Sequence, residues 1–298
     1  MSRSHLSQPR LNFWRLALIL TAIWLLRGSA EPAPAPASPP AGVGHALIVV
    51  GLPGDKEHEA LFADLARQYR DTLTGPLGFD ADRVRVLFGK SGKPDLAKVP
   101  ASRAALEEEV ADLRKALKAE DRLWVFFLGH ANYDDGHAVY HLSGPDMRDD
   151  QLGKLFRGTG CREEVFWMTT SCSAGFLRPL SAKGRIVITA TADPEEVNET
   201  EFPEALAAVL KRPPAKLGAD PDGKVSVLQL YQHTLAEVLA RFAADKRVPT
   251  EHAQLDDNGD GVGTEEPLLE GDAKKKPTAD GTLAAKTFLT WKAVKRNP

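Results

Sequence analysis

The chain reads as an α/β domain built on a mostly parallel sheet with helices on both faces. Three observations predict this. Residues 45–52 (HALIVVGL), 123–128 (LWVFFL) and 184–191 (GRIVITAT) are nearly unbroken apolar runs of strand length, as strands buried on both faces require. Segments with apolar residues at helical spacing lie between such runs. The alternation of the two implies parallel pairing through right-handed crossovers.

In chain order, Gly51, Pro53 and Gly54 end the first strand, and Leu61, Phe62, Leu65, Tyr69 and Leu73 mark a helix from His58 onward. Gly78-Phe79-Asp80 turns the chain into a second strand at 83–88 (RVRVLF). Ser102 caps a helix with the stripe Leu106, Val110, Leu113 and Leu117. The strand at 123–128 ends at Gly129-His130-Ala131. A short hairpin strand at 139–142 and a short helix at 149–156 come next, and a strand at 164–171 runs into Cys172. After the strand at 184–191, helices are expected at 202–210 and 227–242. Beyond Pro249 the chain turns polar and loop-like, and 283–291 is a last short element of open type.

Residues 1–30 have the layout of an export signal. Arg3, Arg10 and Arg15 form a basic region, 16–26 (LALILTAIWLL) is an apolar run too short for a comfortable membrane span, and Gly28-Ser29-Ala30 offers a cleavage point. An uncleaved anchor is the alternative; both place the remainder outside the cytoplasm, periplasmic or secreted, with a membrane tether if the segment stays. Residues 31–44 begin with an alternating Pro/Ala stretch (EPAPAPASPPA), an extended semi-rigid linker. The domain itself is expected over 45–298, enough chain for one large α/β unit. Residues 1–30 hold four Arg and no acid, which leaves 34 basic against 41 acidic residues afterwards, a net charge of −7. An acidic surface argues against a nucleic-acid partner, which selects a basic stripe.

Cys161 and Cys172 are the two cysteines. A strand lies between them, and about seven residues at roughly 3.3 Å each hold its ends ~20 Å apart. A disulfide tolerates Cα atoms up to about 7 Å apart, so Cys172 is expected as a free thiol. In a doubly wound sheet, reactive groups collect just past the carboxyl ends of parallel strands. His130 and Cys172 both sit there, the parts of a thiolate–imidazole dyad: the imidazole deprotonates the thiol and later protonates the leaving group. Taken singly, a buried cysteine and a satisfied loop histidine are the ordinary readings of these two residues; their joint placement favours catalysis.

Over residues 45–262 the chain resembles the caspase–hemoglobinase fold group, and within it the bacterial legumain-like (C13-type, clan CD) cysteine peptidases. The resemblance rests on the strand ending in Gly129-His130, on Leu142-Ser143-Gly144-Pro145-Asp146, and on Ser171-Cys172-Ser173-Ala174-Gly175. It continues through 185–191 (RIVITAT), 196–200 (EVNET), and 250–253 (TEHA) running into 255–261 (LDDNGDG). It implies a caspase-like fold and an endopeptidase acting on protein or peptide substrates without a required cofactor. His130 would be the general base, Cys172 the nucleophile, and the amides of Ala131 and Cys172 the oxyanion donors. Ala131 replaces the family's glycine after the histidine, and alanine resists a positive φ. That departure sets out the rival reading, a pseudopeptidase that keeps the fold as a binding or scaffolding module. Thr170 stands where the family carries a specificity-linked acid or amide, so no preference for the residue before the scissile bond carries over. Asp193, Glu195 and Glu196 are candidates to line a pocket for a basic side chain, against the plainer reading of a solvated charge run.

Asp256-x-Asn258-x-Asp260-Gly261 matches the first half of a calcium-binding EF-hand loop, with Pro267 where the bidentate Glu belongs. Gly218-x-Asp220-x-Asp222-Gly223 is a weaker match; Asp/Gly turns are the competing reading of both. A calcium-binding exported α/β protein with an incidental cysteine is therefore the third reading. His137 and His141 lack the helical pattern and third ligand of a zinc site, and Asn198-Glu199-Thr200 is formally a glycosylation sequon.

Overall fold

A computed structural model describes residues 42–93, 95–267 and 280–292. The expected export signal (1–30) and most of the Pro/Ala linker lie outside the described residues. In chain order the elements are β1 (Gly44–Val50), α1 (Lys56–Thr74), β2 (Val84–Phe88), α2 (Arg103–Ala116), β3 (Arg122–Leu128), β4 (Ala131–Asp134), β5 (His137–Tyr140) and β6 (Met147–Arg148). There follow α3 (Asp149–Leu155), β7 (Glu163–Met168), α4 (Ala174–Leu180), β8 (Arg185–Thr189), α5 (Phe202–Leu210), β9 (Lys224–Ser226), α6 (Val227–Ala244), β10 (Gln254–Asp256) and β11 (Phe288–Thr290).

The unbroken apolar runs become the middle of the sheet. Its strand order is β10-β8-β7-β3-β1-β2, parallel throughout except for β10, which pairs antiparallel with β8. Because successive strand side chains point to opposite faces, β3 feeds two cores at once. Trp124, Phe126 and Leu128 pack with Phe62 and Tyr69 of α1, Leu206 of α5 and Tyr231 of α6. Leu123, Val125 and Phe127 pack on the other face with Leu106 and Val110 of α2, Leu152 of α3 and Phe176 of α4. The expected α/β class, with a mostly parallel sheet and helices on both faces, is what the chain forms.

Local signals account for the helix starts. Asp55 accepts from the amides of Glu57 and His58 to open α1, Ser102 accepts from Ala105 to open α2, and Ser226 with Gln229 forms a capping box on α6. The short elements diverge from the sequence reading. The polar stretch after Pro249 contains β10, three residues long, and the open element at 283–291 contains β11, which pairs with β9. The single strand expected near 139–142 is one of three in a small antiparallel sheet, β4-β5-β6. Segments of two to four residues are too short to show a period. Among the described residues no helix is long and apolar enough to cross a membrane.

Candidate active site

Adjacent pairing of β3 and β7, with Phe127 opposite Met168, sets their carboxyl ends side by side. Beyond β3 the chain turns at Gly129, whose φ of +121° belongs to glycine; a Cβ there would meet the Gly51 backbone nitrogen at 3.2 Å. This turn delivers His130 to a cleft of ≈ 280 Å³ lined in part by Phe62, Ser171, Glu199, Glu201 and Glu204. The His130 ring stands edge-on to Phe62 and His58, with centroids 5.3 and 5.0 Å away. Its Nε2 lies 3.1 Å from the Pro53 carbonyl oxygen. A carbonyl only accepts, so Nε2 carries the proton and Nδ1 keeps the lone pair of a base. That Nδ1 is 3.8 Å from Glu199 Oε1.

His58, in the first turn of α1, faces the same carboxylate. Its Nδ1 lies 2.7 Å from Asp55 Oδ2 and its Nε2 lies 2.7 Å from Glu199 Oε1. The hydrogen bond to Asp55 is the main cause that raises its pKa above the usual histidine value, and the Glu199 charge adds to it. Glu204 is also shifted upward, by burial first and then by the neighbouring Glu201. Asp193, Glu195 and Glu196, the candidates for a basic-side-chain pocket, do not line this cleft. Glu196 instead holds His252, with Oε1 2.8 Å from Nδ1 and Oε2 accepting from the backbone amide, and Asp193 caps the Glu195 amide at 2.8 Å.

Cys172 occupies the turn between β7 and α4 with a φ of +53°, one of three described non-glycine residues in the left-handed region. A side chain held there costs on the order of 1–3 kcal/mol, and such strain persists only where surrounding structure imposes it. Its amide donates to the Glu196 carbonyl at 2.9 Å. The side chain is fully buried, and burial pushes the thiol pKa up, opposed in part by a hydrogen bond with Ser171. Ser171 Oγ donates to the Ala131 carbonyl at 2.8 Å, and Thr169 Oγ1 donates to the Phe127 carbonyl at 2.7 Å. The two strand ends are thus laced together by the residues around the cysteine and the histidine. Among the described residues no hydrogen bond joins Cys172 Sγ to His130.

Two expectations about the oxyanion donors change. The Cys172 amide is committed to Glu196 and is not free to bind an oxyanion in this arrangement. Ala131 is the first residue of β4 and carries no positive φ; the left-handed turn falls on Gly129, before the histidine, so alanine meets none of the strain expected of it. Cys161 and Cys172 are both free thiols.

In the loop with the partial calcium-binding pattern, Asp256 is buried and its two carboxylate oxygens accept from the Gly259 and Gly261 amides at 2.9 and 3.1 Å. Asn258 Oδ1 accepts from the Asp260 amide and Asp260 Oδ1 from the Val262 amide. These are the bonds of a self-capped acid–glycine turn. Asp220 caps the Asp222 and Lys224 amides in the same way. His137 and His141 diverge, the first to Asp149 at 2.7 Å and the second to Asn132 at 2.8 Å.

His58 and Glu199 were not singled out from the sequence. Asp55-x-x-His58 is legible as a helix start, yet nothing in the spacing ties it to His130 or to Glu199.

No described protein family and no curated protein matches the chain by sequence. Among solved structures the chain is similar to protein GSU0716 from Geobacter sulfurreducens, at 13% identity and a TM-score of 0.43, over 72% of this chain and 92% of that one. A likeness of that size carries no argument about function.

Proposed function

We propose that the protein is a cysteine-type endopeptidase in which Cys172 attacks the peptide carbonyl and His130 manages the proton. The observation that carries this reading is the strained backbone at Cys172, φ +53°, in a strand-to-helix turn beside the strand end that presents His130. Nucleophiles of unrelated hydrolases are held on strained turns of this kind between a strand and a helix. A third group that orients the base is present as the Pro53 carbonyl.

In this reading Nδ1 of His130 takes the thiol proton and Cys172 Sγ bonds to the carbonyl carbon. The C–N bond then breaks as His130 returns the proton to the amine, and water hydrolyses the thioester. Segment 192–201 must first move, because Glu196 holds the Cys172 amide and the thiol is buried. Release of that carbonyl frees the amide for the oxyanion. The substrates are proteins or peptides, met outside the cytoplasm if residues 1–30 direct export.

The test is digestion of a peptide library with varied residues before the scissile bond, comparing wild type with Cys172→Ala. Cleavage by the wild type alone supports the reading, and equal outcomes for the two proteins reject it. The rival reading, a binding or scaffolding pseudopeptidase, is favoured by one specific observation: the full burial of Cys172 with its amide already engaged.

A further inference from the structure

The geometry points to a divalent-cation site of zinc type, formed by His58 Nε2, His130 Nδ1 and the Glu199 carboxylate at the mouth of the cleft. One ligand atom from each residue lies within 4.8 Å of the other two. Two imidazoles and a carboxylate, with a fourth position open to water, are the donor set of His₂Glu zinc centres.

The orientation of the rings singles this cluster out from an ordinary surface grouping. Each histidine has its other nitrogen fixed by an acceptor, Asp55 Oδ2 at 2.7 Å for His58 and the Pro53 carbonyl at 3.1 Å for His130. Both acceptors come from the same short turn after β1. Such outer partners hold an N–H on the far nitrogen and serve as the usual second layer around a bound metal. The near nitrogen of His130 is then a ready ligand, and that of His58 becomes one when the cation displaces the proton it shares with Glu199. The near nitrogens converge on one carboxylate oxygen, Glu199 Oε1, at 2.7 and 3.8 Å. Zinc–nitrogen bonds of about 2.0–2.1 Å in tetrahedral geometry separate ligand atoms by roughly 3.3 Å. To reach that separation the His58–Glu199 pair opens from 2.7 Å, by about 0.6 Å, and the His130–Glu199 pair closes from 3.8 Å, by about 0.5 Å. Phe62 walls one side of the site, and the cleft leaves the other open.

This inference goes beyond the peptidase reading and does not depend on Cys172. The two meet at His130: a cation on Nδ1 takes the lone pair that a thiol would need, so the loaded protein lacks its base.

Cobalt(II) and zinc titrations of the full chain test the site. Cobalt is expected to give visible d–d bands of four- or five-coordinate geometry without a thiolate charge-transfer band, and zinc is expected to displace it. His58→Ala and Glu199→Gln should abolish the bands, whereas Asp55→Asn, which retains a helix-capping side chain, should weaken binding about 10–100-fold. Cys172→Ser should bind as the wild type does. The proposal is overturned if the wild type gives no bands and takes up no zinc at micromolar concentration. It is equally overturned if binding survives His58→Ala and Glu199→Gln in proteins with unchanged circular dichroism, or vanishes in Cys172→Ser. Peptidase activity is not read in any arm, so failure here leaves the Cys172 reading standing, and the converse holds.

Discussion

The two ends of β7 each carry a cysteine, and they are built in opposite ways. At the amino end Glu164 and Arg185 form a buried ion pair, with Nε donating to Oε2 at 2.7 Å. The guanidinium also donates to the Leu180 and Phe156 carbonyls at 2.7 Å each, and Thr159 donates to the second Glu164 oxygen. Cys161 lies against this cluster, its thiol pushed up to about 12 by burial and by the Glu164 charge. At the carboxyl end, Thr170 Oγ1 is buried without a partner among the described residues, and Cys172 is held at φ +53°. One end pairs its buried charges and bonds them to neighbouring carbonyls, whereas the other stores strain around a thiol. Local rules are broken where function needs them broken, and neighbouring structure compensates. On the proposed reading, the comparison separates a structural cysteine from the candidate nucleophile without reference to any relative.

The largest effects should come from the strained end. Cys172→Ala should reduce peptide cleavage to background, and His130→Ala should lower it about 10²–10⁴-fold, the usual worth of general acid–base catalysis. The double variant should be no worse than Cys172→Ala, because both residues serve one proton transfer. Thermal melts within a few degrees of wild type would locate the loss in chemistry.

The satisfied end should respond in stability instead. Glu164→Ala leaves the Arg185 charge buried and unpaired and should cost about 3–5 kcal/mol in denaturant unfolding. Cys161→Ala in the same cluster should cost under about 1 kcal/mol and leave cleavage unchanged. A loss of cleavage there would erase the distinction between the two thiols.

A third test concerns Glu251, whose carboxyl is raised to about 8 by burial, with the nearby Glu201 charge adding to the shift. Its folded pKa exceeds the unfolded value of about 4.3, so the folded state binds the extra proton. The stability it contributes is complete below about pH 4.3 and is lost as pH rises through about 8. Over that window the slope approaches a loss of ~1.4 kcal/mol per pH unit. Glu251→Gln should flatten urea-derived stability across it; an unchanged slope would reject the assignment.

The smallest effect is expected from calcium. The Asp256 oxygens already accept two backbone amides, so millimolar calcium should shift the melting temperature little beyond an ionic-strength control. A shift of several degrees, abolished by Asp256→Asn, would restore the loop as a calcium site through preferential binding to the folded state.

Much of the framework was legible in the sequence because long buried strands and amphipathic helices repeat their signal. Residues 45–52, 123–128 and 184–191 became β1, β3 and β8, and Phe202–Leu210 is the helix that the pattern of 202–210 predicts. β10 escaped because three residues show no period, and the helix Ala174–Leu180 because Pro179 lies within it. At the candidate site, sequence reasoning pointed to the residues that follow long strands, His130 and Cys172, and the structure sets those strand ends side by side. It missed His58 and Glu199, which meet His130 from a helix start and a loop 141 positions apart in number. It also placed the positive φ at Ala131, whereas the backbone puts it at Gly129, which tolerates it, and at Cys172, which does not; a residue's φ depends on the path of the turn around it.

Covalent labelling of the intact chain with a panel of peptide chloromethyl ketones, mapped by mass spectrometry, tests the central claim most directly. On the proposed reading the peptide portion displaces segment 192–201 as a substrate does, so labelling tests that opening together with the thiol. Modification of Cys172 and not Cys161, slowed about 100-fold or more in His130→Ala, is the result predicted here. No modification of Cys172 by any member of the panel, or equal rates in wild type and His130→Ala, would contradict it.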